Sequence, residues 1–292
     1  MPMRLAAFGG DMRMNGAVQA ARRAGWEAVW IRREEDTEQL PDARFDAVLL
    51  PWPVSFREGV LFSAPPGEGM ELERVRALMP PCDLLVHGAG VTPEELPQAR
   101  AKWNPGQDEG FLRKNARLTA EGAISAAMRP GQRALLGSTC LVTGYGRIGQ
   151  ELTARLCAMG AFVIVCARSE EQMRAAHVAG AHPIPLAELE RAAGQADVLF
   201  NTVPARVLGT QALARIRPEA LLLELASAPY GADIEEAVRL GVNMRVESGV
   251  PGRYAPGEAG EALFEAAQRR LTEVSGPKTD AAGGQRSGES EG

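Results

Sequence analysis

Gly144, Gly146 and Gly149 stand in the spacing G-x-G-x-x-G, after the apolar pair Leu141-Val142 and before a helical pattern of Ile148, Leu152, Leu156 and Met159. The chemistry this spacing serves is the binding of a pyrophosphate. The first glycine permits a tight turn, the second lets a diphosphate approach the backbone, and the third lets the helix pack close to its strand. The helix N-terminus adds free N–H groups and a partial positive charge. A second apolar strand over 162–166 closes the unit, so the segment that includes Tyr145, Arg147 and Ile148 predicts a bound dinucleotide. That strand runs out in Cys166-Ala167-Arg168-Ser169. An NAD site wants an acid there for the ribose 2′-hydroxyl, whereas a guanidinium and a hydroxyl suit a 2′-phosphate. The cofactor expected is NADP, with NAD second; stacking of Arg168 on adenine would serve either. Thr202, Val203 and Pro204 follow a later strand, as do Ala226 and Ser227, and both turns are expected along the cofactor.

These residues need a frame that brings strand ends together. The predicted fold is α/β, with two doubly wound Rossmann-like domains joined by a long bridge helix. Residues 1–107 alternate strands at 4–8, 27–31, 46–50 and 83–86 with helices, as a flavodoxin-like half does. They lack the glycine fingerprint, and 55–69 reads as loop with a turn at Pro65-Pro66-Gly67. Helical spacing over 108–130, with Leu112, Ala116, Ala120, Ala123 and Ala127 on one side, marks the bridge. Residues 131–255 form the nucleotide domain, and the Gly- and Pro-rich stretch 247–256 is expected to be irregular. A helix over 256–274 is expected to pack back on the first domain, and 275–292, poor in large apolar residues, to be a disordered tail.

Composition narrows the classes. The 292 residues are 45% hydrophobic with a net charge of −5, and no basic stripe appears, which argues against nucleic-acid binding. No run is long and apolar enough for a membrane span, and the N-terminus carries no signal-peptide pattern. The four cysteines form no C-x-x-C pair, and His87, His177 and His182 lack metal-ligand spacing, so reduced core thiols, a cytoplasmic protein and no metal are expected.

The motifs GGDMR at 9–13, NARLTAEGAI at 115–124, GYGRIG at 144–149, CARS at 166–169, NTVP at 201–204, ELASAPYGAD at 224–233 and SGVPGRYAPGEAG at 248–260 together resemble the A-type subunits of dipicolinate synthase. The resemblance covers about residues 3–272. It implies an NADP-linked oxidoreductase of spore formation, in the mother-cell cytoplasm. The enzyme would act with a flavoprotein-like B-type partner on a dihydrodipicolinate-type precursor from the lysine pathway, and a homo-oligomer is also expected. One departure stands out: where the family usually reads APKTAG, this chain has Ala255-Pro256-Gly257-Glu258-Ala259-Gly260, losing a lysine and gaining an acid. Arg206 is a possible compensation.

The implied reaction moves a hydride to nicotinamide and a proton to a base, leaving an aromatic pyridine with two carboxylates to be held. Candidates for that work are Arg13, Asn115, Thr119, Glu121 and Arg253, with His87 as another possible base. No Ser-His-Asp or Cys-His set suggests covalent catalysis. Two rival readings share the frame: another two-domain dehydrogenase of a 2-hydroxy or 2-amino acid, and a non-catalytic NADP-binding regulatory protein.

Overall fold

Strand order divides the chain. In the computed structural model, which describes residues 2–64, 69–97, 99–129 and 134–276, the first half runs β1 (Arg4–Phe8), α1 (Met12–Arg23), β2 (Glu27–Ile31), β3 (Phe45–Leu49), a hairpin of β4 (Phe56–Arg57) and β5 (Val60–Leu61), α2 (Leu72–Leu78), β6 (Cys82–Val86) and β7 (Ala99–Trp103). Its parallel sheet has the order β2-β1-β3-β6-β7. This is the flavodoxin-like arrangement, with its order reversal between β1 and β3. The bridge is α3 (Glu109–Ala127), begun where the Asp108 carboxylate accepts from Phe111 N at 2.7 Å. The second half runs β8 (Thr139–Thr143), α4 (Arg147–Ala158), β9 (Phe162–Ala167), α5 (Glu170–Val178), β10 (His182–Pro185), α6 (Leu189–Ala193), β11 (Val198–Asn201), α7 (Thr210–Arg215), β12 (Leu221–Glu224), α8 (Ile234–Arg239) and β13 (Met244–Val246). Its parallel sheet is ordered β10-β9-β8-β11-β12-β13. That is the dinucleotide-binding order, whose reversal falls between β8 and β11. The chain thus has the expected α/β fold of two doubly wound, Rossmann-like sheets joined by a long helix.

Apolar side chains cover both faces of each sheet, which is why the strands are short apolar runs rather than alternating ones. On one face of the second sheet, Val142, Val165, Phe200 and Leu223 pack with Leu152, Leu156 and the alanines of α3; on the other, Leu141, Ile164, Leu199 and Leu222 pack with Leu189, Leu213 and Ala237. After α9 (Val250–Tyr254), α10 (Pro256–Ser275) returns to the first sheet. There Leu263 and Phe264 join Leu5, Leu49 and Leu84, and Phe264 meets Trp26 edge-on at 5.2 Å.

Several local expectations are corrected. Residues 247–256 are largely helical, because Pro251 and Pro256 occupy first-turn positions where a proline costs no hydrogen bond. Part of 55–69 forms the β4–β5 hairpin. After β6 the chain makes only a single 3-10 turn, Pro93–Glu95, and then a fifth strand, β7, beyond the four expected in this half. Strand β10 was unexpected because His182-Pro183-Ile184-Pro185 carries two prolines, tolerated at a sheet edge. The turn at Pro65-Pro66-Gly67 and all but the start of the expected tail lie outside the described residues. Among the described residues, no helix is long and apolar enough to cross a membrane.

Candidate active site

At the order reversal of the second sheet, Gly144 follows β8 with φ +85°. A Cβ there would stand 2.7 Å from Val203 Cγ2 and 2.9 Å from Thr202 Oγ1, so the turn after β8 and the turn after β11 interlock only around a glycine. A Cβ at Gly149 would overlap the Gly144 carbonyl oxygen, which fixes how closely α4 lies on its strand. Gly146 differs: a Cβ there would meet nothing within 4 Å, and no side chain caps the α4 N-terminus. Its first-turn N–H groups therefore face open space, as a phosphate cradle requires.

That space is a cavity of about 460 Å³, within the usual range for small-molecule sites. One wall is the backbone of Gly144, Tyr145, Gly146, Arg147 and Ile148. A second is the segment Thr202, Val203, Pro204, Ala205 and Val207. The far end is closed by Arg168, Gln172 and Leu186, and α3 closes the side with Leu112, Asn115 and Ala116. Arg168 is exposed and has no hydrogen-bond or ion-pair partner among the described residues. Arg147 reaches across to the bridge helix, its Nη2 2.7 Å from Glu109 Oε2, and Glu109 also pairs with Arg113 at 2.9 Å. The Tyr145 ring turns inward, its hydroxyl donating to Ala175 O at 3.3 Å, and burial pushes that phenol up from its ordinary pKa.

The other expected cofactor residues lie just outside the cavity. Ser169 caps α5, its hydroxyl accepting from Gln172 N at 3.2 Å. Ala226 is buried with its N–H given to Glu224, and Ser227 is exposed beyond it.

Among the candidate catalytic residues, Asn115 lines the cavity. Thr119, one turn on, is buried and donates to Asn115 O at 2.8 Å. Glu121 points elsewhere: six positions from Asn115 is about 240° of helical rotation, and its carboxylate is exposed, 3.3 Å from Arg155 Nη2. Arg253 is engaged by the buried Glu247 carboxylate, which also attracts Arg129 at 3.7 Å. Arg206 pairs with Asp233 at 3.1 Å. His87 is buried at the end of β6, its Nδ1 3.0 Å from Gly88 O.

Arg13 occupies the order reversal of the first sheet. Asp11 accepts from Arg13 N at 2.9 Å, and the guanidinium lies over Trp52 with Nη1 donating to Trp52 O at 3.0 Å. The side chain is only 3% exposed and its Nε has no partner. Burial lowers its pKa and Asp11 opposes that shift.

The cavity also contains residues that motif reasoning missed. Leu186 follows the unexpected strand β10. Val207 and Ala205 extend the Thr202–Pro204 turn, Thr143 is a strand-end residue whose small size is the only signal it carries, and Cys166 and Ala167 lie in the CARS motif without a charged group to mark them.

Residues 111–231 match the family described as D-isomer specific 2-hydroxyacid dehydrogenase, NAD binding domain. The A-type component of dipicolinate synthase from Bacillus subtilis (strain 168) is 27% identical over 242 residues, 81% of this chain and 81% of that protein. The crystal structure of the corresponding dipicolinate synthase component from Bacillus halodurans superposes with a TM-score of 0.76 at 23% identity, covering 92% of this chain and 97% of that one. The crystal structure of the Bacillus subtilis protein superposes at 0.75 and 23%, covering 94% and 97%. The matches support a dehydrogenase-type oxidoreductase that uses a nicotinamide cofactor. The resemblance read from the motifs thus holds across most of the chain, which is similar in sequence and in fold to the A-type component of dipicolinate synthase.

Proposed function

We propose that the chain is the dehydrogenase component of a dipicolinate-forming enzyme. A dihydrodipicolinate-type precursor and NADP yield dipicolinate, NADPH and a proton. The observation that carries this is the uncapped α4 N-terminus and open Gly146 on a cavity with Asn115 in its side wall and an unpaired Arg168 at its end.

The residues present fit the dinucleotide. The backbone of Gly144 to Gly149 would hold the pyrophosphate, and Arg168 with Ser169 a 2′-phosphate. Thr202, Val203 and Pro204 would lie along the ribose and nicotinamide, with Ala226 and Ser227 beside the inner end. When bound, the oxidised nicotinamide supplies a hydride acceptor. The chain's own task is orientation, since aromatisation drives the reaction and positioning alone contributes several kcal/mol. Asn115 presents an amide to the reacting ring, and Thr119 fixes the helical turn that carries it. Arg13, a buried cation at the first sheet's order reversal whose Nε has no partner, is assigned to one substrate carboxylate. Arg253 could take the other only by leaving Glu247. Glu121 has no part.

On this reading 1–107 bind substrate, 108–130 bridge, 131–255 bind cofactor and 256–274 tie back to the first domain. The chain works with a flavoprotein-like B-type partner in the mother-cell cytoplasm during sporulation. The family match over 111–231 favours a second reading, a 2-hydroxy acid dehydrogenase. The test is turnover of the purified chain with freshly made dihydrodipicolinate and NADP or NAD, with and without the B-type partner. NADPH and dipicolinate appearing in equal amounts support the proposal. Reduced cofactor formed only from 2-hydroxy acids supports the second reading.

A further inference from the structure

Thr143, Asn201 and Glu224 end three adjacent strands and stand in register across β8, β11 and β12. All three are buried, and Glu224 is 0% exposed. The Thr143 hydroxyl donates to Asn201 Oδ1, and Asn201 Nδ2 donates to Glu224 Oε1 at 2.7 Å. Three backbone N–H groups complete the shell of the carboxylate: Ala226 at 2.9 Å to Oε1, and Gly231 at 3.1 Å and Ala232 at 2.9 Å to Oε2. Every partner is a donor, so the shell suits a carboxylate that accepts four hydrogen bonds, and these oppose the upward shift that burial imposes on its pKa. An uncompensated buried carboxylate is costly, and such a shell persists because the four donors offset that cost.

Following these bonds outward shows what the carboxylate holds. Asn201 Nδ2 also donates to Val203 O at 3.1 Å, and Val203 N donates to Asn201 Oδ1 at 3.3 Å. From the other oxygen, the Gly231 carbonyl receives Val207 N at 3.0 Å and Leu208 N at 2.9 Å. A Cβ at Gly231 would lie 2.6 Å from Val203 O, so the two loops are in direct contact. Both ends of the segment 202–208 are therefore tied to one side chain, and that segment is the cavity wall made by Thr202, Val203, Pro204, Ala205 and Val207.

We propose that Glu224 is a positioning residue. Without touching the cavity, it fixes the wall 202–208 at the spacing a dinucleotide requires, acting through Asn201 at one end and Gly231 at the other. The inference rests on the reading of the cavity as a nicotinamide dinucleotide site. A glutamine at 224 keeps the volume but replaces one acceptor oxygen by an NH2 group facing donors, so one of the two ties is lost.

The test is titration of full-length wild type and Glu224→Gln with NADPH and NADH by nicotinamide fluorescence, with amide hydrogen exchange on the same samples. Thermal melting first establishes that the variant is folded at the assay temperature. Folded Glu224→Gln is expected to bind about tenfold more weakly, the loss of one charge-assisted hydrogen bond. Exchange should quicken at Val203, Val207 and Leu208 while Leu141 and Val142 of β8 stay protected. Affinity within about twofold of wild type, or exchange raised evenly through the sheet, overturns the positioning role and leaves the cofactor reading standing. Wild type that binds neither nucleotide overturns the cofactor reading, and this inference with it. If Glu224→Gln does not fold, Asn201→Ala cuts the Val203 end, together with the Thr143 bond and one donor to Glu224, and leaves the Gly231 end tied; it is expected to lose about threefold in affinity, and unchanged affinity overturns the inference.

Discussion

Gly252 of α9 lies against the carboxylate of Asp11: a Cβ at 252 would stand 2.8 Å from Asp11 Cγ. The same carboxylate caps α1 and receives Arg13 N. A helix that follows the second sheet thus closes over the switch point of the first, and what happens at the α1 N-terminus is felt by α9 and α10.

The contact continues along α1. A Cβ at Gly260 would overlap Ala17 N and Arg13 O, and one at Gly16 would overlap Pro256 O. Gly252→Ala and Gly260→Ala are each expected to destabilise the chain by about 1–3 kcal/mol, as overpacking of a close helix contact does. Gly257→Ala, where a Cβ meets nothing within 4 Å, should stay within about 0.5 kcal/mol of wild type. Chemical denaturation midpoints for the three variants check this.

Gly257 also carries the departure from the family's APKTAG pattern. It is exposed on the first turn of α10, so a lysine fits there at a cost below about 1 kcal/mol from the helix dipole. If the family's lysine assists a substrate carboxylate, Gly257→Lys should lower the KM for dihydrodipicolinate and leave cofactor affinity unchanged. An unchanged KM would show that Arg13 suffices.

Cofactor choice should follow Arg168. Removing a guanidinium from a phosphate site costs about 1.5–3 kcal/mol, or roughly tenfold or more in affinity. Arg168→Ala is therefore expected to weaken NADPH by that factor and NADH little. Equal losses for both would mean that Arg168 stacks on adenine instead.

The buried thiols set a pH limit. Burial pushes Cys82 and Cys140 up to about 12 and Cys166 up to about 11, from an ordinary value near 9. The folded chain keeps protons there that the unfolded chain loses. Their contribution is fully present below about pH 9 and is lost as pH rises from 9 toward 12. Denaturation at pH 10.5 should show a stability lower than at pH 8 by on the order of 1–2 kcal/mol per thiol, with a shallower fall in Cys140→Ala.

The fold and the site differ in how legible they are from sequence. Glycine spacing and apolar runs mark the β8–α4–β9 unit because one local geometry demands them. The two prolines of β10 hide an edge strand, and Gly252 reads as part of an irregular stretch because its use, close approach to Asp11, is a property of a distant segment, as is the approach of Gly260 to Ala17. Arg168 stands out by type and place. Glu224 does not, since Asn201 is brought to it by the sheet and its other three donors, Ala226, Gly231 and Ala232, by the fold of the loop that follows it. Glu121 illustrates the converse: its type suits a base, but helical phase turns it toward Arg155.

The most direct measurement follows the hydride. Dihydrodipicolinate deuterated at the carbon that loses it would be turned over by the purified chain with NADP and its B-type partner, and the nicotinamide product analysed by mass spectrometry. The expected result is one deuterium on the reduced nicotinamide for each dipicolinate formed, lost together with product in Asn115→Ala. Dipicolinate forming with no deuterium on the nicotinamide would contradict the account.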